Sequence, residues 1–245
     1  MAGDTRKTLR SIPDGAVAVL LPGTGSDDEY IRRAFEGPWT KAGAMLVAVA
    51  PDPADVVAGY LRALDAAAAS GAVIVGGVSL GAAVAASWAL AHPDGTIAVV
   101  AALPAWTGAS DGAPASLSAR HTAALLRRDG LAATTAAMRA SSPAWLADEL
   151  ARSWQRQWPS LPAALDEAAG FAAPSREELS LLTAPLAVVG AVDDPIHPIA
   201  VAREWVAAAP RAALRTTTFD EFGPNPPALG DACLQALAEA LQQPD

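Results

Sequence analysis

The chain has 245 residues, enough for one large domain or two small ones with a sizeable core. Its 17 Lys and Arg against 26 Asp and Glu give a net charge of −9, which argues against nucleic acid or a membrane as a partner. The single Cys233 excludes an internal disulfide, and residues 1–13 lack the hydrophobic stretch of a signal peptide, so we expect a cytoplasmic location.

Strands and helices are predicted to alternate through the first 104 residues. Apolar runs, helical spacings and Pro or Gly stops place these elements in the following order: strand 16–21, helix 26–35, strand 44–50, helix 54–69, strand 72–76, helix 82–91 and strand 96–103. Residues 71–91 are apolar enough to resemble a membrane span, but four glycines and many alanines favour a buried strand followed by a buried helix.

A Gly-x-Ser-x-Gly motif, Gly77-Val78-Ser79-Leu80-Gly81, lies between that strand and that helix. This context is typical of a nucleophile elbow, a turn so tight that the flanking residues must lack side chains. The turn holds the hydroxyl of Ser79 clear of the sheet. The backbone N–H of Leu80 then points from the helix N-terminus at the place where negative charge develops during nucleophilic attack.

Residues 105–183 contain several helical patterns and no convincing strand. Alternation then resumes, and the remaining elements are a strand at 185–190, a helix at 199–208, a strand at 214–219 and a helix at 228–241. We therefore expect an α/β fold, a mostly parallel sheet with helices on both faces. Residues 1–104 and 184–245 would form the core, and 105–183 a helical insertion over the carboxyl ends of the strands.

These features together resemble the α/β-hydrolase superfamily over nearly the whole chain. The elbow around Ser79 carries the resemblance most specifically, and the segment 105–183 is similar to the helical cap of that superfamily. Pro22-Gly23-Thr24-Gly25 resembles its oxyanion loop, which implies that Gly23 borders the site and that the N–H of Thr24, or of a neighbouring loop residue, is the second oxyanion donor beside Leu80.

The loop after the next-to-last strand resembles the loop that carries the superfamily's catalytic acid. In Gly190-Ala191-Val192-Asp193-Asp194-Pro195-Ile196-His197-Pro198 the acid is Asp193 when counted from the glycine, and Asp194 when counted back from Pro198. We favour Asp194, because Asp-Pro-x-x-Pro is the commoner local form. The choice between the two carboxylates stays open at this point.

The catalytic histidine of the superfamily is missing from its usual place after the last strand, where Pro224 follows Gly223. A serine hydroxyl needs an adjacent base, and a carboxylate is a feeble substitute for imidazole. Of the three histidines, His92 lies at the far end of the elbow helix and His121 in the presumed cap. His197, three residues after Asp194, is the best replacement base. Pro224 is expected to face Ser79 across the pocket.

Two functions follow from this pattern. The first is a serine-hydrolase-type enzyme with a non-standard triad that acts on a small apolar ester, thioester or lactone, with Trp106 and His121 lining the substrate pocket. The second is a homologue that has lost triad chemistry and binds a small molecule or catalyses a non-hydrolytic step. One cysteine and three scattered histidines offer no metal-ligand spacing, and we expect neither a metal nor a cofactor.

Overall fold

A computed structural model of the protein describes residues 12–244. Six parallel strands form one sheet in the spatial order β2-β1-β3-β4-β5-β6. The strands are β1 (Val17–Leu21), β2 (Met45–Ala48), β3 (Val73–Val78), β4 (Thr96–Ala102), β5 (Leu186–Ala191) and β6 (Ala212–Thr217). The predicted parallel α/β fold is confirmed, and each strand lies within two residues of its predicted start.

Helices connect these strands and cover both faces of the sheet. In chain order they are α1 (Asp28–Ile31), which continues through a π-helical segment (Arg32–Glu36) into α2 (Gly37–Lys41), then α3 (Val56–Ala68), α4 (Leu80–Ala91), α5 (Pro114–Ser141), α6 (Ala144–Gln157), α7 (Leu161–Gly170), α8 (Arg176–Leu179), α9 (Ile199–Ala208), α10 (Phe219–Phe222) and α11 (Pro227–Ala240). No helix in residues 12–244 combines the length and apolar character needed to cross a bilayer.

Alternate residues of the strands supply two apolar cores, one on each face of the sheet. Val19 and Val75 face the core built with α3, α4 and α9, whereas Leu20 and Ile74 face the core built with α1, α2 and α11. A strand buried on both faces must be apolar at nearly every position, which is why these strands read as continuous Val, Ile, Leu and Ala runs. The stretch 1–13, for which no signal peptide is expected, lies mostly outside the described residues.

The order of the strands reverses between β1 and β3, because the chain passes from β1 to β2 on one side and returns to β3 on the other. Loops that leave two such neighbouring strands diverge and open a crevice beyond their carboxyl ends. The loop after β1 is the Pro22–Gly25 segment, and the turn after β3 carries Ser79. The topology therefore brings the predicted oxyanion loop and the predicted nucleophile to the same crevice.

Helices α5 to α8 fill the interval between β4 and β5, and no strand lies in this stretch of the described chain. Seven buried residues from three of these helices form a third, smaller apolar cluster: Ala119, Ala123, Leu126, Trp154, Leu161, Leu165 and Ala169. Helix α5 is broken at Gly130, whose φ of 79° and ψ of 173° lie outside the helical region. That segment 105–183 acts as a separate cap remains a prediction.

Strand β6 differs most from the expected bounds, since it ends at Thr217 where the sequence pattern extended it to Phe219. Thr218 accepts a hydrogen bond from the backbone N–H of Glu221, and the Glu221 carboxylate accepts one from the N–H of Thr218. This reciprocal capping box starts the short helix α10 immediately after the strand. Phe219 is therefore the first residue of a helix and not the last of a strand.

Candidate active site

The turn that carries Ser79 has the geometry of a nucleophile elbow. Ser79 has a φ of 53° and a ψ of −112°, an unusual conformation for a residue with a side chain. A Cβ on Gly77 or on Gly81 would come closer than 3.0 Å to the carbonyl oxygen of Leu21 in β1. Both glycines are thus required by the close approach of the elbow to the neighbouring strand, as the motif predicted.

A continuous hydrogen-bonded chain joins Ser79, His197 and Asp194. The distance from His197 Nε2 to Ser79 Oγ is 3.0 Å, and that from His197 Nδ1 to Asp194 Oδ2 is 2.7 Å. An ionised carboxylate can only accept hydrogen bonds, so Nδ1 carries the proton toward Asp194 and Nε2 is left to accept one from the Ser79 hydroxyl. The structure therefore brings together three of the residues predicted for catalysis.

The acid and the imidazole lie on one turn after β5. The second carboxylate oxygen of Asp194 accepts hydrogen bonds from the backbone N–H groups of Ile196 (2.8 Å) and His197 (3.1 Å). Burial by itself raises the pKa of Asp194, but the hydrogen bond and charge of His197, together with these two N–H donors, outweigh it and hold that pKa below its usual range. Asp194 is therefore an ionised partner for the imidazole.

Asp193, the alternative acid, points to a different group. Its two carboxylate oxygens accept hydrogen bonds from the backbone N–H of Phe219, at 3.1 and 3.2 Å. Phe219 is the first residue of α10, so Asp193 ties the loop after β5 to the helix after β6. Of the two neighbouring carboxylates, only Asp194 has a contact with an imidazole.

The loop after β1 packs directly against the elbow. A Cβ on Gly23 would lie 3.2 Å from the carbonyl oxygen of Val78 and 3.4 Å from the Cβ of Ser79, so a larger residue would press on the nucleophile. The hydroxyl of the fully buried Tyr60 donates to the carbonyl of Pro22 at 3.2 Å and fixes this loop from behind. Thr24 lines the cavity beside Ser79. That Thr24 and Leu80 donate to an oxyanion stays a prediction.

A cavity of about 700 Å³ opens above Ser79. Its walls come from the loops of the sheet and from α5 and α6, and apolar side chains supply most of them: Val78, Leu103, Leu125, Met138, Leu146, Leu150, Leu165, Ile196, Phe219 and Phe222. Trp145, Phe219 and Phe222 form an edge-to-face cluster with ring centroids 5.5–5.8 Å apart. No Lys or Arg occurs among the described residues that line this cavity.

Two sequence expectations about this cavity need separate comment. Trp106 does not line it, because its indole is buried and donates to the carbonyl of Phe171 at 3.1 Å within the core on the α4 side. Pro224 does not face Ser79 either, since it is exposed and α10 places Phe219 and Phe222 on the cavity instead. These two expectations are wrong.

The remaining histidines lie apart from Ser79. His121 lines the cavity from α5, as expected, but makes no hydrogen bond within residues 12–244. His92 stacks on Trp88 with ring centroids 4.3 Å apart and contacts the carbonyl of Trp88 with Nδ1. Within the described chain, His197 is the imidazole that contacts the serine.

Charged groups hold α6 against the helix that follows the β1 loop. Glu149 is buried in the cavity wall and pairs with Arg33 and Arg152. Arg152 also contacts the buried Asp27 at 2.8 Å. Buried charges require partners of this kind, because leaving one charge unpaired destabilises the fold by about 3–5 kcal/mol. The network thus fixes the wall of the cavity relative to the oxyanion loop.

Sequence reasoning missed Tyr30 and Glu149 as cavity residues. Tyr30 lies six positions after Thr24 on the helix following the oxyanion loop, and that spacing was the one available signal. Glu149 lies on α6, and nothing in the sequence around it indicates that its carboxylate is buried. No cluster of three or more His, Cys, Asp or Glu able to hold a metal occurs in residues 12–244.

Comparison with known proteins agrees with this architecture. No family model matches the chain, and no curated protein is significantly similar to it. Among solved structures, a protein of Mycobacterium tuberculosis H37Rv described as the non-heme bromoperoxidase BpoC is 20% identical with a TM-score of 0.68 over 92% of this chain and 93% of that one. A hydrolase of Pseudomonas aeruginosa is 20% identical with a TM-score of 0.67 over 92% and 91%.

MenH of S. aureus is 14% identical, with a TM-score of 0.66 over 87% of this chain and 92% of that one. Identities this low establish the architecture and leave the chemistry to the residues of the site. This chain therefore has the α/β-hydrolase fold.

Proposed function

We propose that the protein is a serine hydrolase that cleaves a small, uncharged and mostly apolar ester, thioester or lactone. The observation that carries the proposal is the hydrogen-bonded chain from Asp194 through His197 to Ser79, with distances of 2.7 and 3.0 Å. A serine hydroxyl becomes nucleophilic when a base in contact takes its proton. His197 meets that requirement by its position, although it comes from the loop after β5.

In the first half of the reaction, Ser79 Oγ attacks the carbonyl carbon of the substrate while its proton moves to His197 Nε2. The C–O or C–S bond to the leaving group then breaks, and the proton on Nε2 passes to the departing alcohol or thiol. Asp194 stabilises the imidazolium that forms between these steps through its hydrogen bond to Nδ1. The product is an acyl ester on Ser79.

The second half repeats this sequence with water. His197 Nε2 takes a proton from a water molecule, the resulting oxygen nucleophile attacks the acyl carbon, and the proton returns to Ser79 Oγ as the acid leaves. In both halves the carbonyl oxygen becomes negatively charged. The backbone N–H groups of Leu80, at the start of α4, and of Thr24 are the proposed donors to it, supported by the positive end of the helix.

The chemical character of the substrate follows from the cavity. Mostly apolar walls favour an apolar acyl or alcohol group. The lining residues include the carboxylate of Glu149 and no Lys or Arg, so a substrate carboxylate or phosphate would enter without a cationic partner. We therefore favour uncharged substrates, with segment 105–183 acting as a cap that covers them.

The alternative, a homologue without triad chemistry, was motivated by the missing histidine after the last strand. A hydrogen bond between an imidazole and Ser79 removes that motivation. The solved structures of similar architecture, which include proteins named as hydrolases, also favour the enzymatic hypothesis.

Turnover of p-nitrophenyl butyrate and labelling by a fluorophosphonate test the proposal. We expect both in the native protein and neither in Ser79→Ala, which keeps the fold because it removes one hydroxyl. Ser26→Ala is the matched control, since this serine also lines the cavity but makes no contact with His197. A native protein that neither reacts with the fluorophosphonate nor cleaves a panel of uncharged esters would overturn the hydrolase assignment.

A further inference from the structure

One polar group in the cavity has no role in the proposed mechanism. Tyr30, on α1, is only 7% exposed and lines the cavity together with Ser79. Within residues 12–244 its backbone N–H donates to Asp27, but its hydroxyl makes no hydrogen bond. Buried hydroxyl groups are nearly always paired with protein or water, so an unpaired one on a cavity wall is available to water or to a ligand that enters the cavity.

Most other buried polar side chains of the wall have partners. Asp194 and Ser79 contact His197, and both oxygens of Glu149 contact arginines. The hydroxyls of Ser26 and Thr134 and the indole N–H of Trp154 are unpaired as well, but these three atoms are sealed from water, whereas the hydroxyl of Tyr30 is not. Tyr30 is thus the buried side chain of the described wall that still offers a reachable hydrogen-bonding atom.

We propose that Tyr30 is a substrate-binding residue whose phenol donates a hydrogen bond to an uncharged acceptor oxygen of the substrate, distinct from the scissile carbonyl. This inference rests on the proposed hydrolase function and narrows its substrates to esters, thioesters or lactones that carry a further ether, hydroxyl or carbonyl oxygen. Such a contact sets specificity, because a substrate lacking the oxygen displaces water from the phenol without replacing its hydrogen bond.

The surroundings of Tyr30 fit a neutral donor. Burial raises the pKa of Tyr30 far above its usual range, so the phenol keeps its proton at any working pH. The charge of Arg33 lowers the pKa of Tyr30, but by less than burial raises it, and the guanidinium of Arg33 forms an ion pair with Glu149. An anionic oxygen on the substrate would find no free cation on the described cavity wall and would approach the carboxylate of Glu149. An uncharged oxygen avoids that cost.

Isosteric esters in which one CH2 is replaced by oxygen test the inference. Ethyl pentanoate with ethyl 3-methoxypropanoate, and butyl acetate with 2-methoxyethyl acetate, place the extra oxygen on the acyl side and the alcohol side, and longer homologues move it along the chain. We expect Tyr30→Phe to lower kcat/KM about fivefold for at least one ether member relative to its all-carbon partner, the loss typical of one hydrogen bond. The side that responds identifies where the oxygen lies.

Tyr60→Phe is the matched control, because it removes a phenol that donates to Pro22 behind the oxyanion loop. It should change both members of every pair by the same factor. Tyr30→Phe should leave the thermal unfolding midpoint unchanged, since the hydroxyl it removes has no protein partner among the described residues. A Tyr30→Phe variant that changes the two members of every pair equally would overturn the inference.

Direct binding separates this inference from the hydrolase proposal. Affinities of the same pairs for Ser79→Ala and for Ser79→Ala/Tyr30→Phe, measured by calorimetry, depend on Tyr30 and not on turnover. If the native protein cleaves none of the esters but the ether members still lose about fivefold in affinity with Tyr30→Phe, the hydrolase assignment fails and the binding role stands. If turnover is normal and the paired affinities are equal, the binding role fails alone.

Discussion

Replacing His197 by alanine tests the central feature of the proposed mechanism, a base supplied by the loop after β5. The imidazole lies 3.0 Å from Ser79 Oγ, and no other imidazole of the described chain contacts that oxygen. Removal of one member of a serine triad typically lowers kcat by about 10⁴ to 10⁶. We expect a loss in this range, and the lower limit corresponds to about 5.4 kcal/mol of transition-state stabilisation.

The structure also predicts that this loss falls on kcat and not on the fold. Asp194 keeps two backbone N–H donors when the imidazole is removed, so its carboxylate remains hydrogen-bonded and the turn keeps its shape. His197→Ala should therefore unfold at nearly the native urea concentration. Steady-state hydrolysis of p-nitrophenyl butyrate and urea unfolding monitored by tryptophan fluorescence measure the two quantities separately.

Non-additivity gives the sharper assay. Because the serine and its base act as a unit, Ser79→Ala/His197→Ala should be no slower than either single variant. Added imidazole should restore part of the turnover of His197→Ala and none of that of Ser79→Ala. Pro224→His in the His197→Ala background should restore nothing, since Pro224 is exposed and outside the cavity.

One result would refute this reasoning. If His197→Ala retains the native rate while Ser79→Ala abolishes it, His197 is not the base, and the role passes to His121 or to a carboxylate. A rate recovered with Pro224→His would likewise show that the loop after β6 can reach Ser79.

Three further predictions concern the groups around this chain of hydrogen bonds. Gly81→Ala should destabilise the fold by roughly 1–3 kcal/mol in urea unfolding and lower kcat, because its Cβ would strike the backbone carbonyl of Leu21. Asp193→Ala should cost about 1 kcal/mol and lower kcat/KM modestly, because the N–H of Phe219 loses its acceptor. Asp194→Asn should make stability depend less on pH in the acid range. The pKa of Asp194 in the folded protein is held below the unfolded value of about 3.9, so this carboxylate stabilises the fold above that pH. Its contribution is lost as the pH falls through the pKa of the folded state, and the asparagine variant has no such contribution to lose.

Each of these predictions has a control in the chain. Gly170→Ala meets no atom within 4 Å and should leave stability within about 0.5 kcal/mol of native. Asp193→Asn keeps an acceptor oxygen for Phe219 and should retain most of the activity. If Asp193→Ala were as inactive as Asp194→Asn, the assignment of the acid would be reversed. Equal acid limbs for the native protein and Asp194→Asn would contradict the stabilising role of that carboxylate.

The sequence predicted the sheet well because each strand is buried on both faces and is therefore apolar throughout, with Pro or Gly at its end. It placed the elbow well because two glycines and a serine at fixed spacing have few other uses between a strand and a helix. The end of β6 was misplaced, although Thr218 and Glu221 have the spacing of a capping box and announce a helix.

Other features depend on packing that no local pattern encodes. Trp106 follows the end of a strand, where a site residue is expected, but its indole N–H donates to the carbonyl of Phe171, which lies 65 residues further along the chain. The hydroxyl of Tyr30 likewise lacks a partner because no polar group of the described chain packs within hydrogen-bond distance of it, which the sequence does not show. His197 was chosen from its distance to Asp194 along the chain, but its contact with Ser79 joins residues 118 positions apart.

The position of His197 has a consequence for how this fold can vary. β5 and β6 are neighbouring parallel strands, so the loops after both leave the same edge of the sheet, and in this chain the loop after β5 brings the imidazole to Ser79. Because Asp194 and His197 lie on one turn after β5, the loop after β6 carries neither the proposed acid nor the proposed base. In this chain it forms α10, whose two phenylalanines pack on Trp145. The proposed base on the loop after β5 thus leaves the loop after β6 to form an aromatic wall of the cavity, which links the proposed catalytic geometry to the proposed choice of substrate.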